Sequence, residues 1–136
     1  PSTALFEDCI IHSKRNSYVT AASTPKEAKY GYIFKHCKLT AEPGVDKVYL
    51  GRPWRPYAYT LFIECELGKH IVPAGWHNWG KQSNEETARY MEYKNTGEGA
   101  SVSERVAWSK QLTKKEAEAV TVDAIFGTQS NWNPID

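Results

Sequence analysis

Three cysteines, Cys9, Cys37 and Cys65, stand 28 residues apart, and their surroundings repeat with them. Each sits in the pattern Phe-x-x-Cys-x-(Ile/Leu): Phe6, Cys9 and Ile11, then Phe34, Cys37 and Leu39, then Phe62, Cys65 and Leu67. A further step of 28 reaches Tyr90 and Tyr93, where aromatic residues replace both members. An equal period through three units, with a degenerate fourth, marks a solenoid, whose units bury their apolar faces only by stacking.

Local chemistry decides which solenoid. The apolar pieces at 3–6, 30–34 and 59–63 are short and rich in β-branched and aromatic residues, and polar or Gly/Pro-bearing stretches separate them. That pattern asks for strands and turns rather than helices. Cys9 and Ile11, Cys37 and Leu39, Cys65 and Leu67 alternate at i, i+2, so each pair points to one strand face. Stacked coil on coil, they predict internal ladders of Phe, Cys and Leu/Ile, with rungs about 4.8 Å apart. The cysteines are then buried thiols that act as small apolar residues. The fold class is all-β, with coils over about 1–80, and a polar loop, a last coil and a tail over about 81–136. Within that tail the polar stretch 81–86 reads as a loop, and Thr113 with Glu116 reads as a capping box opening a short helix through about Val120.

Composition sets limits on function. A length of 136 residues suits one domain, and an apolar share of 40% argues against disorder. With 17 basic against 16 acidic residues, no strong field selects nucleic acid or an anionic membrane. No apolar run approaches the roughly 20 residues of a membrane span. There is no Cys-x-x-Cys, His-Glu-x-x-His or Gly-x-Ser-x-Gly, and His12, His36, His70 and His77 share no ligand spacing. No metal site, cofactor or serine nucleophile is therefore expected. The 5 Trp and 8 Tyr suit a ring-rich core, or exposed platforms for sugars.

Ordered motifs sharpen this. Tyr18-Val19-Thr20-Ala21, Leu50-Gly51-Arg52-Pro53-Trp54 and Gly75-Trp76-His77-Asn78-Trp79 come first. The run from Glu92 to Ala100, then Arg105-Val106-Ala107-Trp108 and Trp132-Asn133-Pro134, follow in order. Together they resemble the pectin methylesterases, whose fold is a right-handed parallel β-helix, and the resemblance covers essentially the whole chain. It implies a carboxylic ester hydrolase that removes methyl esters from polygalacturonate, with pectin (homogalacturonan) as partner and a secreted location.

In that family one aspartate attacks the ester carbonyl, a second acts as acid then base, and a glutamine helps bind the oxyanion. The aspartates belong to Gln-Asp-Thr and Val-Asp-Phe-Ile-Phe-Gly segments, and neither occurs here. Residues 3–9 resemble the stretch immediately downstream of the second segment, and the opening Pro1-Ser2-Thr3 looks like the middle of a domain. The chain is accordingly expected to be the C-terminal portion of one β-helix domain, inactive alone, with an N-terminal half bearing the aspartates as partner. Asp123-Ala124-Ile125-Phe126-Gly127 is a superficial echo near the wrong end, and Asp8 reads as a solvated turn residue.

By the same resemblance Arg52 is the catalytic arginine, which hydrogen-bonds the nucleophilic aspartate. A planar, permanent cation orients a carboxylate and keeps it ionised. Trp54, Tyr18 and Trp79 map to sugar-contacting positions. Trp76 fits either the cleft or the core, Trp108 and Trp132 are assigned to packing, and Arg55 to the surface. Two rivals stand beside this reading. A β-helix lyase or galacturonase would want a calcium-binding acid cluster or clustered aspartates, neither of which the sequence offers. A non-catalytic carbohydrate-binding or structural β-helix module is the rival from another class.

Overall fold

The period of 28 becomes hydrogen-bond register. The computed structural model describes residues 3–121 and 124–125. Pro1, Ser2, most of the 123–127 echo and the Trp132-Asn133-Pro134 segment lie outside the described residues. The first coil contributes β1 (Ala4–Glu7), β2 (Ile10–Ser13) and β3 (Tyr18–Ala22). The second contributes β4 (Tyr32–Lys35), β5 (Lys38–Ala41) and β6 (Tyr49–Pro53). The third holds β7 (Tyr59–Ile63) and β8 (Glu66–Leu67), and β9 (Arg89–Tyr93) and β10 (Lys110–Gln111) come after it. They form three parallel sheets, ordered β1-β4-β7-β9-β10, β2-β5-β8 and β3-β6. The chain is a parallel β-helix.

The ladders stack as the repeat requires. Phe6 lies on Phe34 at 4.9 Å between ring centroids, and Phe34 on Phe62 at 4.6 Å, with planes within 12°. Ile11 pairs with Leu39 and Leu39 with Leu67. Cys37 and Cys65 are buried, and each thiol donates to a carbonyl one rung below, Cys37 to Phe6 and Cys65 to Phe34. Cys9 begins the column and is only half-buried.

A tight corner joins the first sheet to the second in every coil. Asp8, His36, Glu64 and Lys94 all take a left-handed backbone, with φ of 55°, 54°, 48° and 46°. The next residue is Cys9, Cys37, Cys65 or Asn95. Asn95 breaks the thiol column and accepts the Cys65 N–H at 2.8 Å.

Departures from the strict period arise in the loops between strands. The third sheet pairs Tyr18 with Tyr49, 31 residues apart, because the preceding connection in the second coil is longer and the following one shorter. The fourth coil is offset by 30, pairing Thr60 with Tyr90, Phe62 with Glu92 and Ile63 with Tyr93. The expected substitution of Tyr90 and Tyr93 for Phe and Cys is thus wrong. The stretch 81–86, read as loop, contains the start of a one-turn helix, α1 (Asn84–Thr87), and holds the extra residues. An even slip preserves which residues face inward, so the core survives it.

What meets the Phe ladder at this end is therefore Glu92, a charge at 1% exposure. Arg105 grips it with Nε–Oε2 at 2.8 Å and Nη2–Oε1 at 3.0 Å. The other guanidinium N–H groups donate to the carbonyls of Val72, Pro73 and Gly99. Trp76 Nε1 also donates to Glu92, and the Trp76 ring stacks on Tyr90 at 4.2 Å. Trp76 is thus core, at 1% exposure, and Trp108 packs beside Tyr90.

The outer face of the first sheet is apolar as well, with Leu5, Ile33, Leu61 and Met91 in line. Val120 and Ile125, which follow helix α2 (Lys114–Glu118), pack against this face. The capping box forms as expected, with Thr113 accepting from the Glu116 N–H and Glu116 from the Thr113 N–H. The described part of the tail thus runs along one side of the solenoid.

Candidate active site

The smallest sheet, β3-β6, carries the residues that the motifs single out. Gly51 lets the strand pass close to its neighbours: a Cβ there would meet the Thr20 hydroxyl and the Trp76 ring. That approach seats β6 tightly, and Arg52 projects from it. Ala21 pairs with Arg52 in register, so the β3 residue directly opposite the arginine offers only a methyl group.

Aromatic faces surround the cation. The Arg52 guanidinium carbon lies 3.7 Å from the centroid of Trp79, and 5.3 Å from those of Tyr18 and Trp54. Such contacts hold a planar cation without neutralising it. Its Nη1 is buried and has no hydrogen-bond partner among the described residues. A buried guanidinium N–H left unpaired is costly, and an anionic acceptor relieves that cost. The charge is felt inside the solenoid too. Burial pushes the Tyr90 hydroxyl far above its usual pKa, and Arg52 pulls it partly back.

Trp54 and Trp79 are 60% and 44% exposed, an unusual state for large apolar rings. Both border a cleft of about 250 Å³ that Pro53, Arg55 and Asn84 also line. Tyr18 stacks on Tyr49 at 5.4 Å and meets Trp79 edge-on at 5.8 Å. All four residues selected from the sequence, Tyr18, Arg52, Trp54 and Trp79, therefore come together on one outer face. Arg55 is exposed beside them, and Asp8 sits exposed in its left-handed turn.

The segment after Trp76 needs a local explanation, because Trp76 points into the core and Trp79 out of it. Trp79 takes a left-handed backbone, φ 58°. Its N–H donates to His77 Nδ1 at 2.8 Å, and the Gly80 N–H donates to Asn78 Oδ1 at 2.9 Å. Asn78 also donates to Glu85, while Asn84 donates to the Asn78 carbonyl. His77 lies edge-on against Tyr18 and Tyr49. Sequence reasoning passed over His77, because it sought histidines with ligand spacing rather than one capping its own loop. Among the described residues no cluster of His, Cys, Asp or Glu could hold a metal ion, and no helix is long and apolar enough to cross a membrane.

Comparison with known proteins agrees with the fold. A family model described as pectinesterase matches residues 1–129. Pectinesterase 31 of Arabidopsis thaliana is 40% identical over 117 residues, covering 85% of this chain and 37% of that protein. The pectin methylesterase from carrot superposes with a TM-score of 0.80 at 28% identity, covering 94% of this chain and 46% of its own. A pectin methylesterase in complex with a hexasaccharide gives 0.76 at 27% identity, covering 96% and 46%. The chain spans less than half the length of each of these proteins. With its motifs, its register and these matches in agreement, the chain belongs to the pectinesterase family.

Proposed function

We propose that the protein carrying this chain is a carbohydrate esterase that hydrolyses methyl esters of polygalacturonate and releases methanol. The observation that carries the reading is Arg52, a half-buried cation whose buried Nη1 has no partner among the described residues, set under the exposed Trp79 and beside Trp54. An aspartate nucleophile on a preceding coil would accept from that guanidinium, which orients the carboxylate and keeps it ionised. Ala21 leaves the path over β3 clear. Two rungs span about 9.6 Å, a gap that an arginine and an aspartate side chain bridge together. Tyr18, Trp54 and Trp79 supply flat faces for galacturonate rings. A solved relative in complex with a hexasaccharide supports an oligosaccharide ligand. Pectin lies outside the cell, and the protein is accordingly proposed to be secreted.

The same proposal makes residues 1–136 the C-terminal portion of a single β-helix domain. β1, β2 and β3 are all edge strands at one end of their sheets. Beneath them lies an apolar hollow of about 400 Å³, lined by Phe6, Ile11, Val19 and Phe34 among others. Open parallel edges over apolar rungs call for another coil. The coil proposed here is the N-terminal half with the two aspartates, covalent or supplied as a second chain.

The test is methanol release from methylated pectin by the full-length protein and by residues 1–136 alone. Activity in the first and none in the second is expected. A soluble, monomeric fragment that released methanol at the full-length rate would refute the proposal. A full-length protein that bound polygalacturonate but released no methanol would favour the non-catalytic carbohydrate-binding module.

A further inference from the structure

We infer that His77 is a positioning residue: by accepting the Trp79 N–H on Nδ1, it holds the Trp79 indole over the Arg52 guanidinium. The hydrogen bond is 2.8 Å long and spans two residues, closing a small ring across the Trp76-to-Trp79 reversal. A ring nitrogen that accepts from an N–H carries no proton, so the imidazole is neutral with its hydrogen on Nε2. Trp79 occupies a backbone region that bulky L residues seldom adopt, φ 58°. The acceptor stabilises that conformation, and the conformation turns the indole outward to lie 3.7 Å from the Arg52 guanidinium carbon.

Two neighbouring facts make this specific to Nδ1. Asn78 performs the same act one residue later, its Oδ1 accepting the Gly80 N–H at 2.9 Å. Oδ1 of asparagine and Nδ1 of histidine are both bonded to Cγ, so they reach the same place. The His77 ring also meets Tyr18 and Tyr49 at 5.7 and 5.1 Å between centroids, edge-on in both cases. The imidazole thereby ties Trp79 to the other aromatic platform of the cleft. Its contribution splits into an acceptor and a ring, which substitution separates.

The kinetic half of the inference rests on the esterase reading, and the structural half does not. The full-length protein is labelled with 5-fluorotryptophan, and the Trp79 fluorine resonance is assigned with Trp79→Phe. His77→Ala and His77→Phe should both displace that resonance, and His77→Asn should restore it, all without substrate. With methylated pectin, His77→Ala should raise KM about tenfold, equal to about 1.4 kcal/mol, while kcat stays within about twofold. His77→Asn should recover most of that loss, and His77→Phe should not. An unmoved resonance in His77→Ala overturns the inference. So does rescue by Phe rather than Asn, which would make the ring and not Nδ1 the active part. A displaced resonance in a protein without esterase activity would retain the positioning role while the proposed function fell.

Discussion

Ala21 faces Arg52 across one rung of the two-stranded sheet, a methyl group beside a guanidinium. Ala21 is exposed, so its side chain bounds the route by which the cation meets a partner from the next rung. Ala21→Leu should therefore depress turnover on methylated pectin while leaving the melting temperature nearly unchanged. A variant of wild-type activity would show that the guanidinium does not work across β3.

Arg52→Ala removes the orienting charge, and kcat should fall on the order of 10²-fold or more. Arg52→Lys should rescue little, because an ammonium neither forks around a carboxylate nor stacks flat on indole. Trp54→Ala should raise KM as well as lower turnover. Near-normal methanol release by Arg52→Ala would remove the arginine from the mechanism.

Arg105 and Glu92 form the buried ion pair that closes the described end of the interior, with side chains 3% and 1% exposed. Breaking such a pair strands the surviving charge, so Arg105→Ala should destabilise by about 3–5 kcal/mol in urea unfolding. Replacing both members with apolar residues of similar volume should cost much less. A loss below about 1 kcal/mol for the single variant would show that water reaches Glu92.

The thiols should react in rank order. Burial pushes Cys65 up to about 12, and Cys37 is raised for the same reason. Thiolate is the reactive form, so near pH 8 both should resist an aromatic disulfide reagent until unfolding. Cys9, half-buried and first in the column, should react first. Docking of the proposed preceding coil should slow it, and an equal rate for all three thiols would contradict the stacked column.

Glu116 is held near 2, below its usual 4.5, by Lys110 and by the Thr113 N–H of the capping box. A depressed carboxyl stabilises fully above its unfolded pKa, and that contribution disappears as pH falls through the folded value. The melting-temperature gap between wild type and Glu116→Gln should thus be constant above about pH 5 and should close toward pH 2. A gap independent of pH would mean that the carboxylate charge plays no part in anchoring α2.

The legibility of this chain was uneven for physical reasons. Ala4, Tyr32 and Thr60 fall into register at the period of 28, because two of the three sheets are joined by a corner of fixed length. The shift at Tyr49 and the slip at Glu92 arise in loops, where added residues cost little and leave no periodic trace. Glu92 and Arg105 each open a motif, but their pairing across 13 residues leaves no trace in the sequence, because only the fold brings them together. The cleft residues were found by motif resemblance rather than by spacing. His77 escaped because its partner is its own backbone neighbourhood.

The left-handed corner at Asp8, His36, Glu64 and Lys94 has a consequence for how such chains diversify. It acts as a gauge: one added residue there would invert every side chain downstream in that coil and break alignment with both neighbours. Novelty must therefore enter at the other two corners, and the longer reversal carrying Trp79 and Asn84 lies at one of them. Divergence among coils of this kind is channelled toward the rim of the cleft, where new loops alter what is bound without disturbing what is stacked.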